Sequence, residues 1–246
     1  MMNLLEVRNV SKAFGSLKAL DDVSFTVEAG SIFGIAGPNG SGKSTLFNAI
    51  TNIPFAPDKG EVIFEGNAVT GMRAPELARR GLARTFQRET SFDKLTVFEN
   101  AVIAATYGKP DQSSAVNRQS AEGALELVGL NRRSFGRLAD ELSVFDRKCL
   151  MLATAVAMKP KILLLDEPAS GLTKPEIETS IGLIKQIAQQ GITIVLIEHV
   201  LTFLMTLSQQ LLVLNQGKVL ASGDPREVIG DPRVVEAYLG TRRHDA

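Results

Sequence analysis

Cysteine, net charge and long apolar runs are all scarce in this sequence. Its 246 residues include one cysteine, Cys149, which excludes an internal disulfide and fits a reducing compartment. We interpret Cys149 as a small buried hydrophobe rather than a reactive thiol. The 27 basic and 27 acidic residues cancel, so no general field steers the chain to nucleic acid or to anionic lipid.

The most apolar region, residues 192–207, carries Glu198 and His199 in its middle. It is too short and too polar inside to span a bilayer, and it predicts a core strand followed by a helix. The first six residues lack both the basic start and the apolar run of a signal peptide. We therefore expect a soluble protein, which can still sit against a membrane partner.

Residues 37–45, GPNGSGKST, are the most informative stretch. They fit the phosphate-loop pattern G-x-x-x-x-G-K-[ST]. Glycines let such a loop curl until its backbone N–H groups point inward at an anion, and the following helix adds its positive end. Lys43 would supply a charge for the β- and γ-phosphates, and Ser44 a hydroxyl for Mg²⁺. The expected nucleotide-binding residues of the loop are Gly37, Asn39, Gly40, Ser41, Gly42, Lys43, Ser44 and Thr45.

The flanks of this loop support the interpretation. Residues 31–36 predict a buried strand, and residues 45–50 predict the start of an apolar helix. Strand, loop and helix in this order are the context that the motif requires. The alternative is a glycine-rich turn before a helix, for which a chance match has odds of about one in a hundred.

Elsewhere the pattern alternates between strands and helices. Apolar residues two apart within residues 5–27 predict short antiparallel strands, and residues 61–64 predict another strand. Residues 75–80 predict a short helix that ends at Gly81, and residues 82–86 predict a strand. From Phe92 to Met158 the spacing becomes helical, with helices expected over residues 97–106, 121–130 and 147–158 and a surface loop over 108–117.

After Pro160, strands and helices alternate again. The apolar runs at residues 161–166 and 192–197 predict strands covered on both faces, joined by a helix over residues 175–190. The predicted fold class is α/β, a P-loop NTPase (RecA-like) core with an antiparallel β subdomain and an inserted helical subdomain. We expect one domain, with the core and β subdomain in residues 1–91 and 159–246 and the helical subdomain in residues 92–158.

Two carboxylates, Asp166 and Glu167, end the first of these apolar strands. In open α/β sheets, ligands bind beyond the carboxyl ends of the strands. Asp166 would hold Mg²⁺ through water, and Glu167 would orient the attacking water beside the γ-phosphate. The alternative is a solvated acidic turn.

Three further residues are candidates on their position alone. His199 follows the second apolar strand and can report a γ-phosphate, although a strand-end histidine satisfied by backbone groups is the alternative. Gln87 ends the strand before the helical segment, where its amide can ligate Mg²⁺ and the attacking water; otherwise it is a surface glutamine. Phe14 could stack on adenine, or be a core aromatic.

At these residues the sequence resembles the ATP-binding subunits of ABC transporters, over essentially the whole chain. Residues 37–45 match the Walker A motif, and residues 162–168 (ILLLDEP) match Walker B with its catalytic glutamate. The resemblance implies that Gln87 is the Q-loop glutamine, His199 the switch histidine and Phe14 the adenine-stacking aromatic.

Within that family the chain resembles the branched-chain amino-acid uptake type. The supporting segments are ARTFQ (residues 83–87), VFENAVIAA (97–105) and DPRVVEAYLG (231–240). Related permeases for urea, amides and other amino acids share them, so the subtype is less specific than the family.

The signature motif departs from the family pattern. Leu142 and Ser143 fit LSGGQ, but Phe145 stands where a glycine should face a phosphate, and Asp146 replaces the glutamine. A phenylalanine blocks close backbone approach, and Asp146 adds negative charge beside a polyphosphate. Thr154 replaces the arginine expected later in the helix. Two further departures are Thr173, where Asp or Asn is usual, and Val200, where an acidic residue is common.

In the family, the signature of one subunit completes the ATP site of the other. The departures therefore predict a heterodimer, in which this chain keeps its own catalytic half-site and offers a damaged one to a second ATP-binding subunit. The cofactors implied are ATP and Mg²⁺. The other implied partners are permease transmembrane subunits, docked on residues 87–98, and indirectly a periplasmic or extracellular solute-binding protein.

The resemblance thus implies the energising ATPase of an importer, peripheral on the cytoplasmic face of the inner or plasma membrane. The alternative is a nucleotide-gated regulatory subunit that scarcely hydrolyses ATP, against which the intact Asp166, Glu167 and His199 argue. A soluble family member acting on DNA or ribosomes usually has two cassettes or a long coiled-coil insertion, and neither is present. We expect no nucleic-acid partner.

Overall fold

The computed structural model describes residues 3–87 and 91–239. The chain forms two compact units, one made of the residues up to Met72 together with those from Val195 onward, the other of Arg73–Ile194. Of the segments used above, Met1, Met2 and Gly240 lie outside the described residues. So do residues 88–90 of the expected permease-docking segment.

The described residues form alternating strands and helices. In chain order these are β1 (Asn3–Phe14), β2 (Leu17–Glu28), β3 (Ile32–Ala36), α1 (Lys43–Thr51), β4 (Lys59–Phe64), β5 (Asn67–Ala68), α2 (Ala74–Arg80), β6 (Leu82–Arg84), α3 (Val97–Gly108), α4 (Ser114–Leu127), α5 (Val144–Ala157), β7 (Ile162–Asp166), α6 (Lys174–Gln189), β8 (Thr193–Ile197), α7 (Leu201–Leu207), β9 (Gln210–Asn215), β10 (Lys218–Gly223), α8 (Pro225–Gly230) and α9 (Pro232–Leu239).

In the first unit, an antiparallel sheet has the strand order β2-β1-β4-β5. Two-residue alternation buries Leu5 and Val7 on β1, and they pair with Val27 and Phe25 on β2. The antiparallel strands predicted within residues 5–27 are confirmed. They are longer than expected, at twelve residues each, and bulges interrupt their register.

A second group of strands in this unit leads into the phosphate-loop motif. The order is β10-β9-β3, followed by β8, of which the residues from Val195 onward belong to this unit; β9 is antiparallel to β10 and parallel to β3. All five residues of β3 are buried, as expected of a strand covered on both faces. Because β3 ends at Ala36 and α1 begins at Lys43, the motif occupies the carboxyl end of a buried strand.

In the second unit, β6 lies parallel to β7, with Leu82 beside Ile162 and Arg84 beside Leu164. All five residues of β7 are buried, so the predicted doubly covered strand is confirmed. Helices α3, α4 and α5 pack against one another, as the helical spacing after Phe92 indicated. Asp166 is the last residue of β7, at its carboxyl end.

Two helices begin earlier than the sequence patterns predicted. The expected loop over residues 108–117 is wrong from residue 114 onward, because Ser113 caps α4 by accepting a hydrogen bond from the Val116 N–H. The first turns of α4 are polar and carry no apolar period, so the pattern missed them. Likewise α5 begins at Val144 rather than 147, because Ser143 caps it.

The described structure agrees with two exclusions made from composition. Cys149 is buried on α5, and burial, with a smaller contribution from Asp146, raises the pKa of its thiol to about 12. It therefore behaves as the predicted buried hydrophobe. Across residues 3–87 and 91–239, no helix combines the length and the apolar character needed to cross a membrane.

Asn100, which is 3% exposed on α3, ties the preceding turn to that helix. Its Oδ1 accepts from the Phe92 N–H at 2.8 Å, and its Nδ2 donates to the carbonyl oxygens of Phe92 and Thr96 at 3.2 and 2.9 Å. We expect Asn100→Ala to lower the free energy of unfolding by about 1–3 kcal/mol, because buried backbone groups lose their partners. Thermal or denaturant unfolding measures this.

The matched control is Thr106→Ala on the exposed side of the same helix, where the change should stay within about 0.5 kcal/mol. Equal effects of the two substitutions would contradict a structural role for the Asn100 side chain.

Candidate functional site

The backbone of the phosphate loop leaves no room for side chains at its two ends. Gly37 and Gly42 have φ values of 146° and 107°, which favour glycine. A Cβ at Gly37 would clash with the Leu214 carbonyl oxygen, and one at Gly42 would lie 2.5 Å from the Ala19 carbonyl oxygen. Neighbouring strands therefore fix the path of the loop.

The Lys43 ammonium lies within the loop. Lys43 is only 7% exposed, and its Nζ donates to the carbonyl oxygens of Gly37 at 2.8 Å and Pro38 at 3.0 Å. Ser41 Oγ is buried beside it and has no hydrogen-bond partner among the described residues. A buried hydroxyl without a partner, next to an ammonium and a helix start, fits a polar ligand with acceptor oxygens.

The remaining loop residues face outward or begin the helix. Gly42 caps α1, and its carbonyl accepts from the Leu46 N–H at 2.8 Å. Asn39, Gly40 and Ser44 are exposed, and Thr45 is half-buried on the first turn. All the predicted loop residues thus lie on one connection of the first unit.

Phe14 is an exposed ring, so the alternative of a core aromatic is wrong. The residue is 47% exposed and contacts Phe55 edge to face, with ring centroids 5.1 Å apart. Lys12 Nζ lies 5.7 Å from the Phe14 ring and pairs with Asp58 at 2.6 Å. Phe55 and Lys12 thus contact the ring while about half of the residue stays exposed, as an aromatic that stacks on a base requires.

In the second unit, a buried ion pair holds Asp166. Arg84 Nη2 lies 2.7 Å from Asp166 Oδ2, and the two side chains are 6% and 4% exposed. Parallel pairing of β6 with β7 brings them together. Sequence reasoning missed Arg84; the available signal was a charged residue inside the short predicted strand at residues 82–86.

Gln87 and Glu167 also lie together in this unit. Gln87 Nε2 donates to Glu167 Oε2 at 2.8 Å. Glu167 has a φ of 50°, an uncommon left-handed conformation for a residue with a side chain. Strained backbone of this kind clusters at functional sites, where it aims a side chain.

His199 lies in the first unit, just after β8, and β8 neighbours β3, the strand that leads into the phosphate loop. The N–H of its neighbour Glu198 donates to the Ile35 carbonyl at 3.3 Å, two residues before Gly37. Glu198 is wholly buried, and its Oε2 accepts from the His199 N–H at 3.1 Å. The His199 side chain is about half exposed. The imidazole Nδ1 lies 3.6 Å from the same Glu198 carboxylate oxygen, so the ring stays near this buried acid while half of the side chain is exposed.

The residues that depart from the signature pattern begin or extend helices. Ser143 Oγ accepts from the Asp146 N–H at 3.1 Å, which caps α5. Val144 is 54% exposed, and Phe145 is half-buried beside it. Thr173 donates its N–H and hydroxyl to the Glu176 carboxylate at 2.8 and 2.7 Å, a capping box at the start of α6. Thr154 Oγ1 donates to the Met151 carbonyl.

A groove of about 230 Å³ lies in the second unit, between α3, α5 and the chain after β6. Its lining is mostly apolar and includes Phe92, Ile103, Ala104, Thr154 and Met158. Phe92 is 57% exposed at its rim. The groove is an opening of the size that a side chain or a helix end from a partner can fill.

Comparison with known proteins shows the family of the chain. The family model for the ABC transporter matches residues 20–170, and the model for the branched-chain amino acid ATP-binding cassette transporter matches residues 218–244. The chain is 34% identical to the high-affinity branched-chain amino acid transport ATP-binding protein BraF of Pseudomonas aeruginosa, covering 96% of this chain and 98% of that protein. A probable LivG protein of Methanocaldococcus jannaschii is 35% identical, covering 97% and 98%.

Two solved structures carry the same fold. A nucleotide-free ATP-binding cassette from an ABC transporter superposes with a TM-score of 0.86 at 32% identity, covering 97% of this chain and 100% of that one. The ADP conformation of another such cassette gives 0.88 at 33% identity, covering 98% and 100%. The predicted α/β P-loop fold class is thus confirmed. The chain belongs to the ABC transporter family, as one of its ATP-binding, ATP-hydrolysing cassettes.

Proposed function

We propose that this chain energises an importer of branched-chain amino acids, as a peripheral subunit on the cytoplasmic face of its membrane. The observation that carries the proposal is the buried Lys43 ammonium within the loop at residues 37–45. The cargo class rests on the relatives, which are named as branched-chain amino acid transport proteins and cover nearly the whole chain. A matching C-terminal model supports the same class.

ATP binding uses the first unit. The triphosphate would exchange the carbonyls of Gly37 and Pro38 for phosphate oxygens at the Lys43 ammonium, while loop N–H groups and Ser41 Oγ contact the same phosphates. The exposed Phe14 ring would stack on adenine. Asn39, Gly40, Gly42, Ser44 and Thr45 complete the proposed loop contacts.

Hydrolysis uses the carboxylates of the second unit. Glu167 would orient the attacking water and accept its proton, and the Gln87 amide, which already donates to this carboxylate, would hold it in position. His199 would contact the γ-phosphate and register its loss. The hydrogen bond from Gln87 to Glu167 would thus connect the residue that orients the water to the segment that follows β6.

The proposed magnesium ligands fit the preferences of that cation. Mg²⁺ takes oxygen donors, and Ser44 Oγ, Gln87 Oε1 and the Asp166 carboxylate are all of this kind. The Gln87 nitrogen donates to Glu167, so its oxygen is the atom available to a cation. Arg84 balances the buried charge of Asp166. When bound, Mg²⁺ would neutralise phosphate charge during transfer.

Permease subunits are the proposed partners of the groove beside α3. It is lined by Phe86 and Phe92 among others, and its mostly apolar lining with an exposed Phe92 suits a short helix from a transmembrane subunit. A solute-binding protein would act through those subunits. The helical subdomain over residues 92–158 would carry movement between the groove and the signature at Leu142–Asp146.

A second ATP-binding subunit is the proposed dimer partner. Phe145 and Asp146 replace the glycine and glutamine of the signature, and the exposed Val144 precedes them at the start of α5. The same departures favour one alternative function, a nucleotide-gated subunit that hydrolyses little ATP. Measuring single-turnover hydrolysis with the partner present distinguishes this alternative from an ATP-hydrolysing subunit. Transport assays with urea or amides test the other cargo classes.

We expect Glu167→Gln to leave MgATP affinity nearly unchanged and to lower kcat by about 10² to 10⁴. The substitution keeps the side chain's size and its ability to accept from Gln87, but removes the base. Calorimetry measures binding, and phosphate release measures turnover in the assembled transporter. Glu178→Gln, the same exchange at an exposed position of α6, is the control and should change neither. A parallel fall of affinity and kcat would make Glu167 structural.

We expect the double substitution Phe145→Gly, Asp146→Gln to raise ATP hydrolysis by the chain alone, because it restores backbone approach and removes negative charge near phosphate. The steady-state ATPase rate, as a function of protein concentration, checks this. Glycine near the start of α5 should cost about 1 kcal/mol of stability relative to alanine, and the lost packing of the half-buried Phe145 ring adds to this cost, so unfolding of the variant is measured beside its ATPase rate. Cooperative hydrolysis by the unmodified chain alone would contradict the asymmetric dimer.

We expect Ala104→Phe to reduce transport while leaving MgATP affinity of the isolated subunit unchanged, because the larger side chain fills the groove. Uptake by vesicles that contain the whole transporter, together with co-purification of the subunits, measures the effect. Val116→Phe, at a partly exposed position of α4, is the matched control. Normal uptake by the Ala104 variant would place the permease contact elsewhere.

A further inference from the structure

A tyrosine from the last described helix holds the first amide of the phosphate loop. The Gly37 N–H donates to the Tyr238 hydroxyl oxygen at 2.7 Å, across 201 residues of sequence. Tyr238 is half-buried on α9. Burial raises the pKa of its hydroxyl, so the group is neutral at physiological pH and acts here as an acceptor.

Gly37 is held from both sides. Its N–H bonds to Tyr238, and its carbonyl oxygen accepts from Lys43 Nζ at 2.8 Å. At the Cα of Gly37, the Leu214 carbonyl oxygen lies so near that a Cβ would not fit. One glycine therefore connects the C-terminal helix to the ammonium that the triphosphate would bind.

Helix α9 has its own anchor, so it can support the loop. Val234 is 2% exposed, and α9 packs against α8 and β10. At the start of the helix, Asp231 Oδ1 accepts from the Arg233 N–H at 2.8 Å, and the Asp231 carboxylate pairs with the Arg233 guanidinium at 2.7 Å. The hydroxyl of Tyr238 thus projects from a fixed element.

The two residues of this contact are matched by different family models. Tyr238 lies within residues 218–244, which match the C-terminal model of the branched-chain amino acid cassettes, whereas Gly37 lies within the general ABC transporter match. The contact therefore joins a segment of the more specific class to the nucleotide-binding loop.

We propose that Tyr238 is a positioning residue for the phosphate loop, through which α9 sets the affinity for ATP. When the triphosphate draws the Lys43 ammonium away from the Gly37 carbonyl, the Tyr238 hydroxyl keeps the Gly37 amide in place. The loop then keeps the shape that binds phosphate, because the hydrogen bond to Tyr238 remains when the one from Lys43 is lost. The inference rests on the proposed binding of ATP at this loop.

Tyr238→Phe tests the hydroxyl alone, because it keeps the ring. We expect MgATP affinity of the full-length chain, measured by calorimetry, to fall by about threefold to tenfold, the effect of one net hydrogen bond. Tyr107→Phe is the matched control, since Tyr107 is 71% exposed on α3, and its affinity should equal that of the unmodified chain. Equal affinities for all three proteins would overturn the inference.

A spectroscopic measurement separates positioning from packing. The chain has two tyrosines and no tryptophan, so Tyr107→Phe leaves Tyr238 as the sole tyrosine emitter. We expect MgATP to change tyrosine emission in Tyr107→Phe, because the triphosphate and the Lys43 ammonium rearrange beside the glycine to which the Tyr238 hydroxyl stays bonded, and to leave it unchanged in Tyr238→Phe. Emission from Tyr107→Phe that ignores saturating MgATP would overturn the inference even if Tyr238→Phe failed to fold.

The Lys43→Ala variant distinguishes failure of the inference about Tyr238 from failure of the proposed function. If the unmodified chain binds MgATP and Lys43→Ala does not, the proposed function stands, and the two tyrosine variants decide the inference alone. If the unmodified chain binds no MgATP, the proposed function falls and the inference falls with it.

Discussion

Between Gly37 and Gly42 the backbone runs so close to the carbonyls of Leu214 and Ala19 that neither glycine can carry a side chain. This close approach shapes a loop that holds the Lys43 ammonium at the Gly37 and Pro38 carbonyls, and it depends on β3 and β9 lying parallel as neighbours. Binding of phosphate at the loop requires that shape before the ligand arrives, since ordering a glycine-rich segment costs more entropy than ordering other residues. The contact of Gly37 with Tyr238 adds a further restraint.

In the second unit, two carboxylates are held in position by different partners. Asp166 is buried, and without a partner such a charge would be costly; Arg84 supplies that partner. Glu167 takes a left-handed backbone conformation, and Gln87 holds its carboxylate. The Gln87 amide contacts Glu167 through a hydrogen bond and brings no opposite charge, whereas Arg84 forms an ion pair with Asp166. The two carboxylates are thus held by different means suited to different proposed roles.

The sequence predicted those parts of the fold and site where pattern and chemistry coincide. The loop at residues 37–45 and the buried strands β3, β7 and β8 were predictable because a spaced motif and apolar runs carry direct physical meaning. The start of α4 was not, because its first turns are polar and are stabilised by the Ser113 cap. Arg84 and Tyr238 were missed because their partners lie 82 and 201 residues away in sequence, and only the folded chain pairs them.

The proposed role of this chain requires that the loop at residues 37–45, with the Lys43 ammonium, holds a nucleotide triphosphate. Calorimetric titration of the unmodified chain and of Lys43→Ala with MgATP measures this binding. We expect saturable binding by the unmodified chain and a loss of binding in the Lys43 variant. Equal heats from the two proteins, or none from the unmodified chain, would contradict it.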